Sequence, residues 1–165
     1  FGFAGNRGRI NKKGPRPGRR NHVDAMIEFG LRTRQRDDQD DSKEGHLKVH
    51  EGYQKMCEFM AQTRMAPNYA LNGSNNGLHV KGRVIEAGLA GCLLIEEAGS
   101  PTSQWFEKGH DYLEWDSIAE ARRIVEYFKD HMDESQEMGL RLREKVLKEH
   151  RPEKFWGRVM EVAGI

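Results

Sequence analysis

NGSNNGLHVKGRVIEAGLAGCLLIEE, residues 72–97, is the stretch on which the fold turns. It reads as a polar Gly/Asn loop, a short helix over 80–90 with a small-residue face, and an apolar strand over 92–96. Asn72 to Gly77 are residue types that tolerate left-handed backbone and turn amides toward a ligand. Lys81 and Arg83 stand in the first turn of the helix, where cations oppose the helix dipole. Helix propensity does not account for them, whereas an anion held at the helix N-terminus does. Glu86 follows about one turn later, placed to accept hydrogen bonds from hydroxyls attached to that anion. A sugar nucleotide has both parts, a diphosphate and a ribose.

Outward from this stretch, short apolar strands alternate with helices. Phe1–Gly5 reads as a strand that opens at the first residue, which implies chain upstream. His22–Arg34 shows Val23, Met26, Ile27 and Leu31 at helical steps, and Leu47–Val49 reads as a short strand. Glu51–Arg64 reads as a helix with Tyr53, Met56, Cys57 and Met60 inward, ended by Pro67, and Asn68–Leu71 as a strand. Ser103–Lys108 is expected as a helical piece and Asp111–Trp115 as a strand. Asp116 or Ser117 caps a helix with Ile118, Ala121, Val125 and Phe128 on one face. Helix 133–149 carries Met138, Leu142 and Val146, and a last helix starts at Pro152. That last helix is expected to cover the domain's own sheet, with docking through Phe155, Trp156 and Met160 as the alternative. The order predicts an α/β class: one Rossmann-like three-layer α/β/α domain over residues 1–165, with a parallel sheet and a helical C-terminal end. Ligands of such sheets sit at the carboxyl ends of the strands, here the loops after Gly5, Leu71 and Glu96.

Composition narrows the class. With 36% hydrophobic and 32% charged residues over 165 positions, the chain is polar but able to form a core. No apolar run reaches membrane-spanning length. Cys57 and Cys92 fit no metal spacing and read as reduced core thiols, which points to a cytoplasmic setting. The net charge of +1 hides a basic block, Arg7 to Arg20, and an acidic run, Asp37 to Glu44. The acidic run lacks calcium-loop spacing, and neither a metal constellation nor a Ser-His-Asp or Cys-His set shows in the spacing. Trp105, Trp115, Phe155 and Trp156 are expected to fill core and inter-element gaps, and His79 and His110 are candidates for contact with phosphate or sugar.

FGFAGN, EGYQKMCEFMAQTRMAPNYALN, KGRVIEAGLAGCLLIEE and WFEKGHDYLEW together resemble, in the same order, the C-terminal donor-binding domain of GT-B glycosyltransferases of the group 1 type. The resemblance covers nearly the whole chain and is most specific over residues 71–115. It implies a nucleotide-sugar-binding domain that transfers a hexosyl group from a nucleoside-diphosphate donor to an acceptor, with retention of configuration. It also implies that an N-terminal acceptor domain, or a second chain, completes the enzyme. By the same resemblance Glu86 corresponds to the second Glu of the family's Glu-x7-Glu motif and holds the donor ribose. The first Glu of that motif falls at Leu78 and is absent. Arg83, assisted by Lys81, stands near the diphosphate as the catalytic electrostatic pair. Asn75, Asn76 and Gly77 lie in the loop whose amides approach the donor, Gly5 and Asn6 in the first loop, and the base-reading residues near Ala66 to Leu71. No metal or other cofactor is implied, since helix N-termini and Lys/Arg neutralise the leaving diphosphate. The residues alone leave two alternatives open: a nucleic-acid or polyanion-binding module built on the basic block, and a non-catalytic scaffold, suggested by the missing first Glu. Arg83 pairing with Glu86 or Glu97 as part of the scaffold is the corresponding reading of the site itself.

Overall fold

The computed structural model describes residues 1–4, 19–34, 45–71 and 77–165. The strands are β1 (Gly2–Ala4), β2 (Arg32–Arg34), β3 (Met65–Pro67), β4 (Leu93–Glu97) and β5 (Leu113–Trp115). The helices are α1 (Arg19–Ile27), α2 (Gly45–Ala61), α3 (Gly82–Ala90), α4 (Ile118–Asp130), α5 (Met132–Glu149) and α6 (Pro152–Ala163). All ladders are parallel: β1 pairs with β2, and β4 lies between β3 and β5. β1 runs against β3, which brings the two ladders edge to edge.

The side-chain alternation of β4 sorts the core onto two faces. Leu93 and Ile95 join Val23 and Met26 of α1 and Val125 and Phe128 of α4. Leu94 joins Met60 of α2, Val84 and Ala87 of α3, and Leu142 and Val146 of α5. The expected three-layer α/β/α arrangement is therefore the one observed. Trp115, 2% exposed, seals the end of the sheet on the first face, and its indole N–H donates to the Ile95 carbonyl at 3.2 Å.

Several boundaries differ from the sequence reading. The helix expected over 22–34 stops at Ile27. Gly30 adopts φ 102°, and the Leu31 amide reaches back to the Met26 carbonyl at 3.1 Å, a six-to-one closure that ends the helix. Residues 32–34 then pair with β1 as a strand. Leu47–Val49 is not a strand but part of α2. Strand β3 lies three residues earlier than expected. Met65–Pro67 align with Leu93–Ile95, the Asn68 amide adds a last bond to the Ile95 carbonyl at 2.9 Å, and Leu71 makes only an antiparallel bridge to Leu78. The expected helix at 103–108 is instead a 3-10 turn over Pro101–Gln104, whose Thr102 amide donates to the Ser100 hydroxyl.

Of the four α2 residues expected inward, Met60 alone is buried. Met56 is half-buried, and Tyr53 and Cys57 are exposed, so Cys57 is not a core thiol while Cys92 is. Trp105, Phe155 and Trp156 are exposed rather than core-filling. Every residue of α6 is exposed, and none joins either core cluster. The helix does not cover its own domain. Among the described residues no helix is long and apolar enough to cross a membrane.

Ser117 caps α4 as the sequence predicts. Its hydroxyl accepts from the Glu120 amide at 3.2 Å, and the Glu120 carboxylate accepts in return from the Asp116 amide at 2.9 Å. Ser117→Ala leaves that amide without its partner and is expected to cost about 1 kcal/mol, a fall of roughly 2–4 °C in melting temperature by calorimetry.

Candidate functional site

The parallel ladders place the ends of β3 and β4 and the start of α3 on one edge. The chain leaves β3, passes Asn68–Leu71, and returns at Gly77 to reach Lys81, the N-cap of α3. The two stems of this loop meet: Leu71 bridges Leu78, and the His79 amide donates to the Ala70 carbonyl at 3.1 Å. Leu78 also touches the turn after β4, where a Cβ on Gly99 would stand 3.4 Å from Leu78 Cδ1. Asn75, Asn76, Gly5 and Asn6, and the basic block apart from Arg19 and Arg20, lie outside the described residues. Gly77 stands half-buried at the loop's return.

At the mouth of α3, Lys81 has extended backbone, the first helical turn holds no acid, and among the described residues no side chain caps it. The Lys81 ammonium donates to His79 Nε2 at 2.8 Å. The Arg83 guanidinium is largely buried and packs across α3 onto Met56 of α2, its Nη2 4.0 Å from Met56 Sδ. Arg83 Nη1 lies 3.1 Å from Glu86 Oε2, an ion pair whose angle falls outside a hydrogen bond. The Glu86 carboxylate bends back toward the start of α3, 4.0 Å from where a Cβ on Gly82 would be, as side chains on helices do. The structure thus brings Arg83 and Glu86 together, as the scaffold reading foresees, while the Lys81 ammonium meets His79.

The stretch expected near the base makes buried contacts with the end of β4. Met65 to Leu71 are all buried. The Asn68 amide side chain donates to both oxygens of Glu96, at 3.1 and 3.0 Å. The Ala70 and Leu71 amides both donate to Glu97 Oε2, at 2.8 and 3.1 Å. Neither carboxylate was expected as a buried acceptor: Glu97 figured in the sequence reading only as a possible partner of Arg83, and both sat at the end of an apolar run. Two adjacent acids closing a strand were the signal. Glu96 is fully buried, and burial pushes its carboxyl up to about 7, against hydrogen bonds from Asn68 and Thr102 that favour the charged form. His110 lies away from this edge: its Nδ1 is 2.8 Å from Asp111, which Lys145 of α5 also holds at 2.8 Å.

Comparison with curated proteins returns no match. Among solved structures, three crystal structures of the Anabaena protein Alr3699/HepE are similar: the complex with UDP-glucose at TM-score 0.57 and 12% identity, that with UDP at 0.56 and 12%, and that with UDP and glucose at 0.53 and 11%. Each likeness covers 89% of this chain and 44% of that one, so this chain spans less than half the length of these neighbours. At such identity the likeness speaks for the shared fold. The family model described as glycosyl transferase-like matches residues 31–161, most of the sequence from β2 through α6, and the chain belongs to that family.

Proposed function

We propose that this chain is the donor-binding part of a glycosyltransferase, holding a nucleoside-diphosphate sugar at the carboxyl edge of β3 and β4 and presenting its hexosyl group for transfer. The observation that carries the reading is the start of α3 in a glycosyl transferase-like chain. A helix N-terminus with a lysine at its cap and no acid in its first turn suits a diphosphate, and a carboxylate one turn on suits the ribose hydroxyls. In this reading Lys81 and the first amides of α3 neutralise the leaving diphosphate without a metal. Glu86 accepts from the ribose, and Arg83 holds the Glu86 carboxylate in place while adding positive charge. Asn75, Asn76 and Gly77, with Gly5 and Asn6, supply the loops around the donor. That the similar HepE structures hold UDP and UDP-glucose supports a uridine donor as the first probe.

The acceptor side is supplied by a second domain or chain, in keeping with a chain that spans 44% of its structural neighbours. The exposed apolar face of α6 is the surface left for it. Two free thiols suit a reducing, cytoplasmic setting.

Thermal unfolding with UDP and UDP-glucose tests this. At one hundred times its dissociation constant a ligand adds about 2.7 kcal/mol, a rise of roughly 5–10 °C for a domain of this size. Lys81→Ala and Glu86→Ala should each remove most of that rise while leaving the unliganded melting temperature within about 2 °C of the parent. No shift with any nucleoside diphosphate, or variants that bind like the parent, would refute the assignment. The isolated chain should bind donor without transferring it.

A further inference from the structure

We propose that Glu97 is a positioning residue for the donor site, acting through the backbone of the loop stem to set Lys81. The proposal rests on the donor reading above and adds a residue that reading does not use.

The contacts form an unbroken line. Glu97 closes β4, and its side chain leaves on the α1/α4 face, opposite to Glu96, by strand alternation. One oxygen, Oε2, accepts the amides of Ala70 and Leu71 at 2.8 and 3.1 Å. These are charge-assisted bonds within a buried setting, since Glu97 is 8% exposed and Ala70 and Leu71 are 0% and 3% exposed. The Ala70 carbonyl, on the other side of the same peptide unit, accepts the His79 amide at 3.1 Å. The His79 ring nitrogen Nε2 then accepts from Lys81 Nζ at 2.8 Å. A displacement of the Ala70–Leu71 backbone therefore moves His79 and, through it, the cation at the mouth of α3.

The stem has no ladder of its own to keep it in register. Leu71 makes a single bridge to Leu78, and β3 ends at Pro67. Buried amides need acceptors, and here a carboxylate takes the place of a neighbouring strand. Glu96 does the corresponding work on the opposite face. It receives Asn68 Nδ2 on both oxygens and the Thr102 hydroxyl on Oε2 at 3.3 Å, and so joins the loop after β3 to the turn after β4. The two acids hold the stem from both sides of the sheet. Glu97 is the one whose line of contacts leads to Lys81.

The test compares Glu97→Ala, Glu97→Gln and Ser117→Ala with the parent chain. Amide hydrogen exchange at Ala70, Leu71 and His79 is measured together with the dissociation constant for UDP. In Glu97→Ala all three amides should lose protection together, and UDP should bind about tenfold more weakly, as expected when a binding group is mispositioned by a fraction of an ångström. Glu97→Gln keeps one acceptor oxygen and should recover most of both effects. Ser117→Ala lowers stability at a distance and should change neither. The proposal falls if His79 stays protected while Ala70 and Leu71 open, or if Glu97→Ala binds UDP like the parent. A parent chain that binds no UDP refutes the donor reading, and joint or separate opening of the three amides then decides the positioning role by itself. Should Glu97→Ala not fold, Glu97→Gln against the parent gives the same readings with smaller amplitude.

Discussion

Gly139→Ala is expected to lose at least about 3 kcal/mol of stability, although alanine is the better helix former by about 1 kcal/mol. The reason is the approach of α5 to the turn that joins α3 to β4. A Cβ on Gly139 would stand 2.2 Å from the Gly91 carbonyl oxygen, 2.8 Å from the Gly91 carbonyl carbon and 2.9 Å from the Cys92 carbonyl carbon. All three are backbone atoms, so no side chain can swing aside. Nor can the turn retreat, since Gly91 sits at φ 69° as the C-cap of α3 and its amide bonds back to the last turn of that helix. The substitution must therefore push α5 off α3, opening the seam where Leu142 and Val146 pack against Val84 and Ala87. Gly88 offers a graded comparison. A Cβ there meets Val146 Cγ2 at 2.7 Å and Leu142 Cγ at 3.2 Å, side-chain rather than backbone atoms, so Gly88→Ala should cost less than Gly139→Ala. Gly157→Ala on α6, with nothing within 4 Å, should be neutral or stabilising by up to about 1 kcal/mol. Urea denaturation of the three variants checks the order. A Gly139→Ala protein as stable as Gly157→Ala would mean that α5 does not run this close to Gly91.

The second large effect is on the pH dependence of stability. Glu96 is buried at the end of the central strand of the β3–β4–β5 ladder, and burial raises its carboxyl from 4.5 to about 7. Asn68 and Thr102 hydrogen bonds pull the other way and the neighbouring Glu97 charge adds to the rise. The folded chain therefore keeps a proton that the unfolded chain has already released. Its contribution to stability is fully present below pH 4.5 and is lost as pH rises to 7, by roughly 3 kcal/mol at 1.36 kcal/mol per unit. The hydroxyl pair beside it can take either proton arrangement. The Ser100 and Thr102 oxygens are 2.9 Å apart and either can donate, so Thr102 can give to a charged Glu96 or receive from a neutral one.

His22 and Asp111 act with the opposite sign over part of the acid range. Burial lowers the His22 imidazole, whose contribution is lost as pH falls below its usual 6.5. Burial opposes the ionised form of Asp111, but the Glu107 amide, Lys145 and His110 outweigh it and lower the carboxyl, a contribution lost below 3.8. Both are common to the parent and to Glu96→Gln, so the difference between the two proteins isolates Glu96. Denaturation between pH 5 and 8 should show Glu96→Gln gaining on the parent by roughly 2.5 kcal/mol as pH rises. A constant difference across that range would show that Glu96 is ionised in the folded chain throughout.

Much of the architecture is legible in the sequence. Val125 and Phe128, or Leu142 and Val146, repeat at helical spacing within their own segments, and Leu93 to Ile95 form an apolar run too short for a helix. Those signals are local, and α4, α5 and β4 appear where they point. Arg32–Arg34 carried no such signal: their strand exists because β1 supplies a parallel partner, and apolar Leu31 alone extended the helical pattern past Gly30. The site divides in the same way. Lys81 and Glu86 follow from the position of a helix start. Arg83 faces α2 and pairs with Glu86, which depends on how two helices pack.

By itself the amino-acid sequence determined the alternation of strands and helices, the parallel α/β class and the cation at the start of α3, because the period of burial and the chemistry of a helix end are written in neighbouring residues. Only the tertiary structure decided that Glu96 and Glu97 are buried acceptors, that Glu86 is held by Arg83, and that α6 keeps its apolar face in solvent. A carboxylate's partner, or a helix's cover, comes from segments distant along the chain, and an acid at a strand end or an amphipathic stripe looks the same in sequence whether or not that partner arrives.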